Sequence, residues 1–229
     1  MLAKYHLEIT TNALESSFSS GELQTVIQAN IGQDKLINLI IHPEYHFDNN
    51  LFTEAYTYLE QQRQVILATL NKGDQQESRK AFGRLIHGAQ DFYAHSNYVE
   101  LWLEMYNRKE ENTQINPRDI DPLNVEILNN PGLYSGRVYY LRDAISYIPG
   151  LKKFIKRISP PDSHTHMNLD APDKECLFPY AYSAAQKRTL HEFKEVHHLI
   201  LTQFGPDDLA RFTGNQPPQR LQDTVFLSR

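Results

Sequence analysis

Apolar residues recur along the chain at three- and four-residue intervals, which is the spacing of helix faces. Leu7, Ala13, Leu14 and Phe18 fall near one stripe and predict a helix over residues 4–19, with His6 on its opening turn. Leu23, Ile27, Ile31 and Leu36 predict a second helix over 21–39, with Asp34 near its end. Pro43 then restricts the residue before it, and EYHFDNN is a turn-rich junction in which Asp48, Asn49 and Asn50 favour a helix start. The next helix, 51–71, buries Phe52, Ala55, Leu59, Ile66 and Leu70 and stops near Asn71 and Gly73. Asp74, with Glu77 three residues on, predicts the cap of another, whose stripe of Phe82, Leu85, Ile86, Ala89, Phe92 and Tyr93 runs to Asn97. Helix resumes through Val99, Leu101, Trp102 and Met105.

The pattern then changes. Pro117, Pro122, Pro131, Gly132 and Gly136 break residues 107–140 into ordered loop, a length that in compact domains often shapes a cleft or lid. A helix interrupted near Pro149-Gly150 is expected over 141–158, followed by the loop SPPDSHTHMNLDAPDKE. A long helix from Tyr180 to about Phe204 and a short one from Pro206 complete the chain before a polar tail. The expectation is all-α: one helical-bundle domain over 1–213 with long irregular loops and a multi-metal cleft, and a C-terminal tail over 214–229.

Composition narrows the function classes. With 40% hydrophobic and 22% charged residues among 229, the chain can bury a core. Its net charge of -5 removes the broad basic field on which duplex DNA binding relies. The single cysteine, Cys176, leaves any metal to histidines and carboxylates. The longest apolar run, Leu36 to Ile41, is far short of a membrane span, and no export signal precedes it. A cytoplasmic protein, or one exported without a cleavable signal, is expected.

The densest chemistry is HGAQDFYAHSN, residues 87–97. On a helix His87, Asp91 and His95 share an arc of about 80°, yet the two histidines stand about 12 Å apart along the axis. Metal–donor bonds of about 2 Å cannot join both histidines to one ion, so the spacing points to more than one metal on a polar face turned to a semi-buried cleft. His6, the Asp34 and His46 region, and His164, His166 and Asp170 are further candidate ligands from separate segments, as a bundle would assemble them. HEFKEVHH offers His191, Glu195 and His198 without the spacing of a metalloprotease motif and reads as a solvated face.

The run LIHGAQDFYAHSNYVEL resembles the signature of the Het-C family, within the superfamily of zinc-dependent phospholipases C and fungal single-strand nucleases. HLEITTNAL, the AN and QD of residues 29–34, YHFDNNLF and SHTHMNLDAP extend the likeness from about residue 5 to 173. The resemblance implies an all-helical fold holding three zinc ions. It implies that His46, His87, Asp91 and Asp34 hold one ion, and that Met1 and His6, with Asp91 bridging, hold a second. His95, one of His164 and His166, and Asp170 would hold the third. It further implies hydrolysis of a phospholipid or other phosphodiester by metal-activated water, with Asp34 as a base and peripheral membrane contact. Phe92, Tyr93, Tyr98, Tyr134, Tyr139 and Tyr140 are candidates to line a headgroup or base pocket. A phospholipase C, a nuclease or nucleotidase, and a non-catalytic metal-stabilised interaction module are the competing readings.

Overall fold

The computed structural model describes residues 1–109, 115–139, 160, 162–172 and 176–215. Helices α1 (Ala3–Leu14), α2 (Ser20–Ile31), α3 (Leu36–Ile41), α4 (Phe52–Asn71), α5 (Gln75–His95) and α6 (Tyr98–Lys109) come first. Then follow α7 (Val125–Leu128), α8 (His164–Met167), α9 (Phe178–Gln203) and α10 (Pro206–Thr213). Among the described residues the only extended pairings are two isolated bridges, Ser96 with Ser135 and Arg137 with Ser163, so the all-α expectation holds. The helix expected over 141–158 and most of the expected tail lie outside the described residues.

Helix α5 is the axle. It packs against α2, α4 and α9, and from Leu85 to His95 every side chain is buried. Asp74 caps it, its side chain accepting from the Glu77 amide at 3.0 Å. Phe82, Leu85 and Ile86 join Leu14, Phe18, Val26, Phe193 and Phe212 in one apolar cluster. Ala89, Phe92 and Tyr93 join Phe47, Leu59, Tyr98 and Trp102 in another. The expected semi-buried polar face is therefore corrected: His87 and Asp91 are fully enclosed, because α1, α2 and the segment around His46 cover the side of the helix that α4 and α9 leave open.

Two departures from the periodicity aim functional side chains. The helix expected over 21–39 breaks at Gly32–Asp34, a short 3₁₀ turn, before α3 resumes. This break turns Asp34 back toward α5, its Oδ1 3.7 Å from His87 Nε2. In the junction before α4, Asp48, Asn49 and Asn50 do not cap the helix, whose N-cap position is Leu51 without a side-chain bond. Asn49 and Asn50 instead adopt left-handed backbone and clamp the loop at 135–138. Their side-chain oxygens accept from the Val138 and Ser135 amides at 2.8 and 2.6 Å. That loop donates from the Gly136 amide to the His95 carbonyl, and a Cβ at Gly136 would lie 2.7 Å from the His164 Cα, so the absent side chain lets α8 approach α5.

Phe92, Tyr93 and Tyr98 are core residues, with the two phenols donating to the Pro122 and Asp121 carbonyls; Tyr140 lies outside the described residues. The HEFKEVHH segment keeps Glu195 and His198 exposed on α9. Beneath it Glu192 is buried between Arg188 and Arg63, at 2.7 and 2.5 Å. Burial favours its neutral form, but the two guanidiniums outweigh this and lower its pKa below the ordinary 4.5.

Helices α2 and α5 touch through Gly83, where a Cβ would meet the Val26 carbonyl oxygen at 2.4 Å. Gly83→Ala gains helix propensity but forces the helices apart, and is expected to cost about 1–3 kcal/mol by denaturant unfolding. A more stable variant would show that this crossing is not tight. For Glu192→Gln, removing one member of a buried ion group is expected to cost about 3 kcal/mol at neutral pH. A depressed carboxyl pKa stabilises the fold above its unfolded value and loses that stabilisation as pH falls through the folded value, so the deficit should shrink on acidification. A deficit that is constant between pH 7 and pH 3 would contradict the ion-pair account.

Candidate metal centre

The buried stretch of α5 carries polar groups that need partners from other segments. Asp91 lies at the centre. Its Oδ2 is 2.9 Å from His46 Nδ1 and 3.1 Å from His87 Nε2. Its Oδ1 faces the Met1 α-amine, His6 Nε2 at 3.2 Å and His95 Nε2 at 3.8 Å. Around these, Asp170 Oδ1 is 3.1 Å from both the Met1 nitrogen and His95 Nε2. His164 lies 2.9 Å by Nδ1 from Asp48 Oδ1 and 3.9 Å by Nε2 from Asp170 Oδ2. Two sets of donor atoms fall within 4.8 Å of one another: His6, Asp34, His87 and Asp91, and Asp48, His95 and His164.

Nine of the ten expected ligands therefore lie in one connected cluster. His166 lies on the same short helix as His164. Asp48 is the member that periodicity did not single out, since it looked like helix-start chemistry; its position two residues after His46 was the available signal. The histidines present one nitrogen to the cluster, and three of them, His6, His87 and His95, fix the other ring nitrogen outside it. His6 Nδ1 is 2.5 Å from Gln90 Oε1, His87 Nδ1 is 3.1 Å from Asn30 Oδ1, and His95 Nδ1 donates to the His46 carbonyl at 2.8 Å. His164 Nδ1 rests on Asp48. Among the described residues, two buried imidazole atoms, His6 Nε2 and His46 Nε2, have no hydrogen-bond partner; His6 Nε2 is close to Asp91 but not aligned for a hydrogen bond.

The electrostatics follow from burying so many groups together. Burial opposes ionisation of Asp91, but the Met1 amine and His95, His87 and His6 outweigh it and hold the carboxyl well below its usual range. Asp170 is held low in the same way by Met1, His95 and His164. Burial also opposes the charge on the Met1 amine, yet Asp170, Asp91 and Asp34 raise it to about 11. His87 is driven the other way by burial, to about 4, so it is a neutral nitrogen donor. The centre thus joins ionised carboxylates to neutral imidazole, a donor set suited to a divalent cation.

With this geometry in place, comparison with known proteins decides the family. The model of the VWA7 N-terminal domain family matches residues 4–126, which includes α5 and most of the cluster. The chain belongs to the VWA7 N-terminal domain family. It is similar to von Willebrand factor A domain-containing protein 7 of Rattus norvegicus, at 36% identity over 90 residues, covering 38% of this chain and 10% of the relative. The protein of the same name from Mus musculus is 34% identical over 79 residues, covering 34% of this chain and 9% of the relative. The matched segment spans about a tenth of either relative's length. No solved structure matches.

This membership corrects the Het-C resemblance. LIHGAQDFYAHSNYVEL, which carried it, lies inside the segment matched by the VWA7 N-terminal domain, and a set of His and Asp positions is a ligand pattern that does not specify a reaction. The expected phospholipase C or nuclease activity, and the zinc-dependent phosphoric ester hydrolase as a class, are withdrawn on the same finding, and with them the role of Asp34 as a base. Among the described residues no helix is long and apolar enough to cross a membrane. An open groove of about 870 Å³ between α4 and α9, lined by Arg63, His191 and Glu195, contains none of the cluster residues.

Asp91→Leu removes the counter-charge of the buried Met1 ammonium and the acceptor of the His46 imidazole. It is expected to destabilise the domain by about 3–5 kcal/mol in chemical denaturation, because an uncompensated buried charge remains. A loss below about 1 kcal/mol would show that the carboxylate does not organise the centre.

Proposed function

We propose that this domain is a metal-stabilised helical module whose buried centre binds divalent cations, with zinc preferred. The observation that carries the reading is the enclosed, unpartnered His6 Nε2, 3.2 Å from an oxygen of an ionised Asp91; a second buried nitrogen, His46 Nε2, is also unpartnered among the described residues, on a ring whose Nδ1 meets the same carboxylate at 2.9 Å. A buried lone pair facing a carboxylate is repelled unless a cation lies between them, and unpartnered buried polar groups in native folds call for such an explanation. Histidine nitrogen combined with carboxylate oxygen suits zinc better than magnesium or calcium, which take oxygen.

The donors suffice for three ions, two of them sharing Asp91. His46, His87 and Asp34 surround Oδ2, while His6 and the Met1 amine, once its proton leaves, surround Oδ1. His95, His164 and Asp170 form the third group, with Asp48 behind His164. Metal here joins α1, the turn after α2, the junction before α4, α5 and α8, and its role is to hold these segments together.

Zinc binding should stabilise the fold by mass action. At a hundredfold excess over Kd the gain is about 2.7 kcal/mol for one site, which corresponds to a rise in Tm of about 5–10 °C for a domain of this size. Metal content of the purified protein, with thermal unfolding before and after chelation and zinc return, tests this. Failure of the purified protein to retain or take up zinc, together with an unchanged Tm, would overturn the reading.

A further inference from the structure

Behind the metal-facing nitrogens lies a second layer of buried groups that no ligand set includes. Thr10, Asn30, Gln90 and Thr189 are all fully buried and form one hydrogen-bonded chain. It begins on α9, where the Thr189 hydroxyl donates to the Ala185 carbonyl at 2.8 Å, leaving its oxygen free only to accept. The Gln90 amide nitrogen donates to that oxygen at 2.9 Å and to Thr10 Oγ1 at 3.1 Å. Gln90 Oε1 is consequently turned the other way. It accepts from Asn30 Nδ2 at 3.1 Å and stands 2.5 Å from His6 Nδ1. Asn30 Nδ2 also donates to Thr10 Oγ1 at 3.1 Å, which leaves Asn30 Oδ1 3.1 Å from His87 Nδ1.

The direction of this chain is set by proton counting. Reversing both amides would bring two amide oxygens to Thr10 and one to Thr189, so the single hydroxyl proton of Thr10 would have to serve two acceptors. It would also pull the Thr189 proton from Ala185. In the direction observed every contact has a donor and an acceptor. An amide oxygen facing a ring nitrogen requires that nitrogen to carry the proton, and in neutral imidazole the other nitrogen then holds the lone pair.

We infer that Thr189, Gln90 and Asn30 are positioning residues that lock His6 and His87 as Nδ1–H tautomers, so that both Nε2 lone pairs face Asp91 and a metal ion before any metal arrives. The consequence for affinity rests on the metal-binding reading; the tautomer lock itself does not. A neutral histidine side chain in water favours the Nε2–H form, so the lock imposes a tautomer that the histidines would not choose. Thr189 touches no metal-facing atom, which separates the effect from loss of a ligand.

The test uses the whole chain with nitrogen-15-labelled histidine. In metal-free protein at pH 8, two-bond nitrogen–proton spectra should show His6 and His87 protonated on Nδ1. Thr189→Val, nearly isosteric but without the hydroxyl, frees Gln90 to turn over; His6 should shift toward the Nε2–H pattern and zinc affinity by calorimetry should fall about tenfold or more. Thr189→Ser restores the acceptor and should keep both the pattern and the affinity. Nε2–H tautomers in the unaltered metal-free protein would overturn the lock, as would a folded Thr189→Val protein with unchanged spectra. If Thr189→Val does not fold, the spectra of the unaltered and Thr189→Ser proteins decide. Nδ1–H tautomers in a protein that takes up no zinc would uphold the lock and sink the metal reading alone.

Discussion

The structure depends on one buried carboxylate. Asp91 sits on a helix enclosed on all sides, and a lone anion there would cost several kcal/mol. Its two oxygens are met by nitrogens from three separate stretches: Met1 and His6 at the start of the chain, His46 in the junction before α4, and His87 and His95 on α5 itself. Each stretch must reach the same point, and this constraint accounts for the irregular features of the fold. The break after α2 brings Asp34 back, the left-handed backbone at Asn49 and Asn50 ties down the loop at 135–138, and the bare face of Gly136 admits His164.

The polar centre divides the apolar core without weakening it. Along α5 the residues that join the first aromatic cluster end at Ile86 and those that join the second begin at Ala89. The interval between carries His87, and the turn that follows carries Gln90 and Asp91. Aromatic packing fixes the helix on both sides, and the amide and hydroxyl groups behind the histidines leave their ring orientation little freedom. A site built this way is preorganised by the fold, and the fold in turn relies on the site to neutralise buried charge.

Much of this was legible in the sequence, and the illegible parts have physical causes. Period and capping residues located α4, α5 and α9 because long amphipathic helices write their burial into spacing. The spacing of His87, Asp91 and His95 marked the stretch of α5 on which the cluster is centred. Burial of the triplet was not legible, since a helix covered on its polar side by other polar segments keeps an amphipathic pattern. Asp48 was hidden by its resemblance to a capping residue, and Gln90, Asn30 and Thr189 by being neutral. The same ligand pattern also resembles that of Het-C proteins, which shows how weakly a set of metal donors constrains the reaction. Family membership rests on residues 4–126 as a whole, and it leaves most of the candidate centre inside a VWA7 N-terminal domain with no hydrolytic assignment.

The central claim is that cations occupy the space between Asp91 and the imidazoles. Diffraction from crystals of the zinc-supplemented protein, recorded on both sides of the zinc absorption edge, tests it most directly. The account predicts an anomalous peak about 2.0–2.2 Å from His6 Nε2 and from an Asp91 oxygen, with a further peak near His95 and Asp170. An absence of anomalous density between these groups, with the nitrogens bridged by water or by a shared proton, would contradict it.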